Sequence, residues 1–374
     1  VPASLPRSGI REIMDLAWST EGAIHLEVGQ PDFDTPDHIV EAACAAAREG
    51  HTKYIPNGGV DQLRAAAARY VQQSTGVATE AEQILVTQGA VMSIATAFLA
   101  LLESDEEVLL PDPGWPNYAM AVSLLHGRPL YYNLRPKDGF LPDVDELEHL
   151  VSPKTKLLLL CSPSNPTGQV HDADLTGALL DFAYRHDLYV LADEIYGEIV
   201  FSGEHVSALS HDEGAERVIL VTGMSKAFAM TGFRVGFTRA SRDYIELAAK
   251  LQEPFVSCGV AMAQLGAVAG LEGNWDCVGE MRDTYRKRRD VALDAEGMPA
   301  LMTAHIVLPH LDPERPATLS PLIIDGLLRR ELGFDGVILS DDLEMKAVAD
   351  RWSITSLVTQ CAAAGVDVLL ICHD

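Results

Sequence analysis

Over the first three quarters of this chain, segments with apolar residues at helical spacing alternate with short continuous apolar runs. Residues 37–50 (DHIVEAACAAAREG) have apolar positions at helical spacing and end on Gly50, a residue that favours helix termination, and residues 61–73 predict a second helix. Between the helical segments stand short continuous apolar runs, which are typical of strands covered on both faces. These runs are QILVT (83–87), EVLL (107–110), KLLLLC (156–161), LYVLA (188–192) and RVILV (217–221).

Strands separated by helices predict βαβ units, and therefore an α/β fold with a mainly parallel sheet. In such a sheet, ligands bind where loops leave the carboxyl ends of the strands. The segments that follow the predicted strands are therefore the place to look for chemistry. A chain of 374 residues is long enough for one large α/β domain and a smaller one.

The charge balance narrows the range of partners. With 54 acidic against 28 basic residues, the formal net charge is −26, which disfavours binding to nucleic acid or to an anionic membrane. No apolar run approaches the length of a membrane span, and the first residues lack a basic head followed by an apolar stretch. The six cysteines are scattered, without a CxxC pair or metal-ligand spacing. We therefore expect a cytoplasmic protein that binds no metal.

The segment TGMSKAFAMTGFRVGF (222–237) places a lysine and an arginine eight residues apart. The amine of Lys226 can hold an aldehyde cofactor as a Schiff base, and Arg234 can bind a phosphate through two parallel hydrogen bonds. Pyridoxal 5′-phosphate (PLP) requires both groups. Such a pair is otherwise most often two solvated charges, but the surrounding SKxxxxxGxRxG string argues against that interpretation.

Two further segments supply polar groups for a pyridine ring. In LYVLADEIYGEIVF (188–201), Asp193 can keep the ring nitrogen protonated, and Tyr196 can hydrogen-bond the ring's phenolic oxygen. Asn165, in the turn CSPSNPTG (161–168), can reach the same oxygen. Taken singly, these residues would be interpreted as a helix cap, a packed aromatic side chain and part of a proline-rich turn.

Two earlier turns complete a candidate cofactor cradle. In LVTQGAVMSI (85–94), a strand runs into Gly89 and Ala90 at the start of a helix, where free backbone N–H groups can bind a phosphate. In LPDPGWPNY (110–118), Trp115 can stack on a pyridine ring, although a lone tryptophan is more often a core residue.

Over residues 1 to about 295, the chain resembles the class I/II aminotransferases of PLP fold type I. The resemblance is carried by seven strings: VGQPDFDTP, KYIPNGGVDQLR, TQGA, PDPGWPNY, SPSNPTG, ADEIYGEIVF and SKAFAMTGFRVGF. It implies a PLP-dependent transaminase that acts on an amino acid and a 2-oxo acid. By the same resemblance, Lys226 is the catalytic Schiff-base lysine, and the cofactor contacts are Gly89, Ala90, Trp115, Asn165, Asp193, Tyr196 and Arg234.

The resemblance also implies an assembly. Tyr54 matches the tyrosine that reaches a phosphate in the neighbouring subunit, which implies a homodimer with shared sites. Gly29 matches the position where the family brings backbone close to the substrate carboxylate.

Beyond a long helix near 274–295, the resemblance changes. The family's small C-terminal domain supplies an arginine that clamps the substrate carboxylate, but the strings MTAHIVLPHLDP and ELGFDGVILSDDLEMKA resemble bacterial β-N-acetylhexosaminidases of glycoside hydrolase family 3. There the residue matching Asp341 is the nucleophile. We therefore predict an aminotransferase-like domain over 1–296 and a partial (β/α) barrel slice over 297–374, joined near AEGMP (295–299) as a chimera, a genomic rearrangement or an assembly error.

The slice is predicted to contain strands at 300–306, 336–341 and 366–372 and helices at 320–332 and 353–365. Because a barrel needs eight strands and retaining hydrolysis needs a separate acid/base, glycosidase activity through Asp341 is the weakest alternative. Two others stay open: a C–S lyase of the same fold, and a PLP-binding hybrid impaired by the missing clamp. Arg329, Arg330 and His305 are tail cations, but no pattern selects one of them as a replacement clamp.

Overall fold

The computed structural model describes residues 9–19, 29–212, 216–293, 300–308, 311–343 and 345–371. The chain divides into two compact units, Val1–Asp283 and Thr284–Asp374. The junction predicted at 295–299 lies outside the described residues, and the helix Asp276–Leu293 runs across the division between the units.

The first unit is built on a seven-stranded sheet. Its strand order is β1-β7-β6-β5-β4-β2-β3, and β7 is antiparallel to both of its neighbours while the other pairs are parallel. The mainly parallel sheet predicted from the sequence is confirmed. The strands are β1 (Ile84–Gln88), β2 (Glu107–Asp112), β3 (Arg128–Asn133), β4 (Thr155–Cys161), β5 (Tyr189–Asp193), β6 (Val218–Gly223) and β7 (Val235–Arg239).

The continuous apolar runs form central strands because both faces of the sheet are covered. In β4, Leu158 and Leu160 belong to one core cluster and Leu157 and Leu159 to the other, as the alternation of side chains along a strand requires. All four side chains are buried. The helices that cover the faces therefore hold the strand ends in fixed positions.

The helices of the first unit begin and end where the local sequence favours it. Asp143, Asp172 and Ser241 each accept a hydrogen bond from a backbone N–H in the first turn of the helix that follows. The helices are α1 (Gly9–Ser19), α2 (Asp37–Arg48), α3 (Asp61–Thr75), α4 (Ala90–Leu101), α5 (Pro116–Leu124), α6 (Val144–Leu150), α7 (Ala173–Arg185), α8 (Met224–Ala227), α9 (Arg242–Val256), α10 (Ala261–Glu272) and α11 (Asp276–Leu293).

The second unit has its own small core around Leu319, Ile324, Ile338 and Leu357. A three-stranded sheet in the order β12-β11-β8 is parallel throughout, and β9 and β10 form an antiparallel pair. Its elements are β8 (Ala300–Met302), β9 (Val307–Leu308), β10 (Asp312–Pro316), a π-helix (Leu322–Glu331), β11 (Val337–Asp342), α12 (Lys346–Ala349), α13 (Ile354–Ala364) and β12 (Val368–Leu370).

The strands and helices predicted for the tail are present, but β9, β10 and α12 were not predicted, and two predicted elements differ in length or type. The predicted strand 300–306 is shorter, since β8 ends at Met302, and the helix predicted over 320–332 is a π-helix. Three parallel strands alternating with helices agree with the predicted pattern, while the assignment to a barrel slice stays a prediction. No helix in the described part of the chain has the length and apolar character needed to cross a membrane.

Candidate active site

The candidate site lies at one edge of the seven-stranded sheet. Strands β1, β2, β4, β5 and β6 all run in the same direction, because β7 is antiparallel to both β1 and β6. Their carboxyl ends therefore meet at the same edge. The residues predicted from separate strings follow directly from these strand ends: Gly89 and Ala90 after β1, Trp115 after β2, Asn165 after β4, Asp193 and Tyr196 at and after β5, and Lys226 after β6.

Lys226 lies in the short helix α8, and its amine is directed into the site. Its Nζ donates a hydrogen bond of 2.6 Å to the carbonyl of Gly29 and lies 5.6 Å from the centre of the Tyr196 ring. Burial, followed by the charge of Arg234, lowers the pKa of Lys226, and Asp193 opposes the shift. A lysine with a lowered pKa has more of its amine in the neutral, nucleophilic form.

Asp193 is a buried carboxylate at the end of β5, with 3% of its surface exposed. Its Oδ2 accepts a hydrogen bond of 2.6 Å from the Tyr118 hydroxyl, and its Oδ1 accepts one of 3.3 Å from the Ile195 backbone. Burial raises the pKa of Asp193 to about 6, against the lowering effect of these hydrogen bonds. The group is therefore ionised at neutral pH and can bind a cationic ring nitrogen.

Arg234 and Gly89 form a pocket for an anion at the start of α4. Gly89 has a φ of 73°, and a Cβ atom there would lie 2.5 Å from the Arg234 Nη2, so only glycine allows this approach. The Arg234 guanidinium is oriented by a hydrogen bond of 2.9 Å from Nη1 to the Thr231 carbonyl. A guanidinium beside a helix N-terminus offers the charge and the N–H donors that bind phosphate.

The remaining predicted cofactor contacts surround this centre. Burial, followed by the charge of Asp193, raises the pKa of Tyr196 to about 12, so its hydroxyl stays a proton donor at neutral pH. Trp115 is half-buried at the start of α5, and Asn165 is half-buried in the turn after β4. In the same turn, the Cys161 thiol donates a hydrogen bond of 3.5 Å to the Pro163 carbonyl.

The residues present fit PLP. A lysine amine of lowered pKa, a buried carboxylate, and a glycine that leaves room beside an arginine match the aldehyde, the ring nitrogen and the phosphate of the cofactor. Among the described residues, no group of three or more His, Cys, Asp or Glu side chains is arranged to hold a metal ion.

Gly29 and Tyr54 are predicted site residues whose predicted partners are the substrate and a neighbouring subunit. The Gly29 carbonyl contacts Lys226, which puts this backbone beside the reactive amine. Tyr54 is 91% exposed and lines a surface depression together with 258–262. A side chain so exposed is available to a neighbouring subunit.

The tail residues are engaged within their own unit. Asp341 lies on β11, where its Oδ1 accepts a hydrogen bond of 2.9 Å from the backbone of Asp342. Arg329 donates to the carbonyls of Phe334 and Gly336 and pairs with Asp367 at 2.6 Å. Arg330 pairs with Asp325 at 2.6 Å, and the ring nitrogens of His305 lie 3.1 Å from the Thr318 hydroxyl and 2.8 Å from the Asp342 carbonyl.

Sequence reasoning missed one residue of this site, Tyr118. It stands three positions after Trp115 in the same PDPGWPNY string, so both side chains lie near one face of the first turn of α5. That spacing was the available signal, but it does not show that the hydroxyl reaches Asp193.

The pKa values predict a pH dependence for the stability of the cofactor-free protein. The pKa of Asp193 is about 6 in the folded protein and about 3.9 in the unfolded chain. The protonated carboxyl therefore adds to the free energy of unfolding below pH 4, and this contribution is lost as the pH rises through 6. His171 has the opposite effect, because burial lowers its pKa to about 4. Its contribution to the free energy of unfolding is lost as the pH falls from 6.5 through 4.

A comparison of the natural chain with Asp193→Asn isolates the contribution of Asp193, because both proteins keep His171. We expect the free energy of unfolding of the natural chain to fall, relative to this variant, by on the order of 2–3 kcal/mol between pH 4 and pH 6.5. Urea unfolding at several pH values measures the difference. A constant difference across this range would mean that Asp193 does not titrate as a buried carboxyl.

Comparisons with known proteins show which family this chain is similar to. The model of the family "Aminotransferase class I and II" matches residues 21–328 and so extends past the boundary predicted at 296. Aromatic-amino-acid aminotransferase 2 of Thermococcus litoralis is 39% identical over 301 residues, which are 79% of this chain and 77% of that protein. Aspartate aminotransferase of Pyrococcus horikoshii is 35% identical over 292 residues, 77% of this chain and 74% of that one.

A solved structure is also similar to this chain. Aspartate aminotransferase from Thermus thermophilus with maleate superposes with a TM-score of 0.76 at 32% identity, over 79% of this chain and 78% of that chain.

Proposed function

Because this chain belongs to the class I and II aminotransferase family, we propose that the cluster at the carboxyl edge of its seven-stranded sheet is where it carries out PLP-dependent transamination. The enzyme is a PLP-dependent transaminase that acts on an amino acid and a 2-oxo acid. The observation that carries the assignment of the site is the convergence of Lys226, Asp193 and the Arg234–Gly89 pair at one edge.

Each residue of the cluster has a role that its surroundings support. When bound, PLP supplies an electrophilic carbon for an amino group and an electron-withdrawing ring. Lys226 holds the cofactor covalently, and its released amine moves the substrate's α-proton, which its lowered pKa favours. The binding roles are as follows: Arg234, Gly89 and Ala90 bind the phosphate, Asp193 binds the ring nitrogen, Tyr196 and Asn165 donate to the ring oxygen, Trp115 packs on the ring, and Gly29 lies near the substrate carboxylate.

The substrate class is proposed from the relatives. Those reported above are named for aspartate and for aromatic amino acids. We therefore propose a donor from one of these two classes and a 2-oxo acid such as 2-oxoglutarate as the acceptor.

A transamination assay tests the proposed function. The purified protein with PLP is given aspartate, tyrosine or alanine together with 2-oxoglutarate, and glutamate is measured. We expect glutamate with aspartate or tyrosine as donor. Release of pyruvate, ammonia and thiol from a sulfur amino acid without any 2-oxo acid would instead indicate the C–S lyase. Turnover by none of these routes would indicate the impaired hybrid, and no observation so far favours either alternative.

We also propose that the chain is a homodimer. Tyr54 is 91% exposed and lines a surface depression together with Val260, which is also exposed, and Phe255 is a further exposed apolar side chain near the end of α9. Exposed apolar side chains that share one surface patch, as Tyr54 and Val260 do in lining this depression, mark protein interfaces. Sedimentation equilibrium should give about twice the chain mass, and replacing Tyr54 and Phe255 with serine should shift the equilibrium towards the monomer. A monomer at micromolar concentration in the natural chain would contradict the proposal.

For the tail, we propose a fragment of glycoside hydrolase family 3 origin in the place of the usual small domain. The separate core of the second unit and its three parallel strands alternating with helices support this proposal. The proposed junction at 295–299 falls within residues 21–328, the range that matches the aminotransferase family. Three barrel strands of eight form no sugar-binding cleft, so we expect no hydrolysis of an aryl N-acetylglucosaminide. Hydrolysis that Asp341→Asn abolishes would contradict this expectation.

A further inference from the structure

Tyr118 connects two of the proposed cofactor contacts. Its hydroxyl donates a hydrogen bond of 2.6 Å to Asp193 Oδ2, and its ring meets the Trp115 ring edge-to-face, with 5.4 Å between the centres and 88° between the planes. Only 2% of the side chain is exposed. One buried residue therefore contacts both the carboxylate and the aromatic group assigned to the cofactor ring.

The contact joins parts of the sheet that are not neighbours. Tyr118 belongs to α5, which follows β2, whereas Asp193 ends β5, and β4 lies between these two strands. Tyr118 reaches past β4, whose last residue, Cys161, belongs to the same buried cluster as Tyr118. A hydroxyl held in this way fixes the position of Asp193 relative to the segment that carries Trp115.

We propose that Tyr118 is a positioning residue for transamination, which holds the Asp193 carboxylate charged and oriented towards the ring nitrogen of the cofactor. The proposal rests on the proposed function, because it assigns Tyr118 a role only through Asp193.

The hydrogen bonds around Asp193 support this role. Tyr118 occupies Oδ2 and the Ile195 N–H occupies Oδ1, so two donors from different elements fix the plane of the carboxylate. A hydrogen bond from a buried donor to an ionised acceptor is among the stronger ones in proteins.

Among the groups around Asp193, Tyr118 has the largest lowering effect on the pKa of its carboxyl. Burial raises the pKa of Asp193, the Tyr118 hydrogen bond is the largest effect that lowers it, Glu194 raises it, and Lys226 lowers it. The two other titratable neighbours, Tyr196 and Cys161, have raised pKa values and stay neutral near pH 7. Removal of the Tyr118 hydroxyl should therefore favour the protonated carboxyl.

The test uses Tyr118→Phe, which keeps the ring against Trp115 and removes only the donor. Tyr132→Phe is a matched control, because Tyr132 is equally buried and its hydroxyl donates 2.8 Å to the Leu159 carbonyl rather than to Asp193. Both variants lose one buried hydrogen bond, so an effect of general destabilisation would appear in both.

The first measurement needs no cofactor. Infrared spectra of the cofactor-free protein, recorded against pH and assigned by the band that Asp193→Asn lacks, report when the Asp193 carboxyl is protonated. We expect the midpoint to rise by about one pH unit in Tyr118→Phe, since a charge-assisted hydrogen bond is lost. In Tyr132→Phe the midpoint should equal that of the natural chain.

The second measurement is the affinity for PLP, followed by quenching of tryptophan fluorescence. A rise of one pH unit in the midpoint predicts binding about fivefold weaker near pH 6 in Tyr118→Phe, with the curves converging above pH 8, where Asp193 is ionised in both proteins. An unchanged midpoint or an unchanged affinity in Tyr118→Phe, with PLP bound by the natural chain, overturns this inference alone. Failure of the natural chain to bind PLP at any pH overturns the proposed function and this inference with it.

Discussion

Replacement of Lys226 with alanine is expected to lower kcat for transamination by at least about 10⁴-fold. The variant loses two functions at once, because the lysine is both the covalent attachment point and the base that moves the α-proton, and proton transfer by a positioned side chain alone contributes about 10²–10⁴-fold. The Lys226 amine has a lowered pKa and lies 2.6 Å from the Gly29 carbonyl, and no other residue of the proposed site carries an amine. Steady-state kinetics with saturating PLP measures the loss.

Lys250→Ala is the control for this variant, since Lys250 is an exposed lysine of α9. Its kcat should match that of the natural chain. Borohydride reduction followed by peptide mass analysis should locate the bound cofactor on the peptide that contains Lys226. A variant lacking Lys226 that keeps a tenth or more of the activity would rule out this lysine as the catalytic group.

The second large effect is expected from Asp193→Asn, with a loss in kcat of about 10³-fold. The substitution keeps the shape of the side chain and removes the charge that a protonated ring nitrogen requires. Loss of a preorganised electrostatic group in a buried site costs about 10²–10³-fold or more. Because Asp193 is 3% exposed, water cannot replace the missing charge.

Asp212→Asn is the matched control. Asp212 is also buried, accepts a hydrogen bond from a tyrosine hydroxyl (Tyr184, 2.5 Å), and contacts the backbone of Val218 at the start of β6. We expect this variant to lose stability and to keep its kcat. Equal losses of kcat in the two variants would mean that the effect of Asp193 is structural.

Much of the fold follows from the sequence because the central strands are continuous apolar runs. Strands β4, β5 and β6 were each predicted to within two residues. Strand β3 was missed since it lies at the sheet edge, where its exposed and buried positions give no continuous run. Strand β7 begins directly after Arg234, at the end of the motif that contains Lys226, and its antiparallel insertion between β1 and β6 depends on tertiary packing.

The candidate site could be predicted as a set of residues but not as a set of contacts. The rule that ligands bind at strand ends, together with the resemblance, selected Lys226, Asp193 and Arg234. The approach of Gly89 to Arg234 and the hydrogen bond from Tyr118 to Asp193 depend on the strand order, which local patterns do not determine. Without that order, the sequence gives no reason to interpret Tyr118 as anything other than a packed aromatic residue.

The most direct test of the central claim is an absorbance spectrum of the purified protein with PLP, before and after a panel of amino acids is added, with Lys226→Ala alongside. We expect a visible absorbance band that the variant lacks and that shifts when an amino acid of the aspartate or aromatic class is added. A band that depends on Lys226 but responds to no amino acid would mean that the cofactor binds without catalysis. The absence of any visible band in the natural chain would mean that Lys226 forms no Schiff base with PLP, contrary to the proposed function.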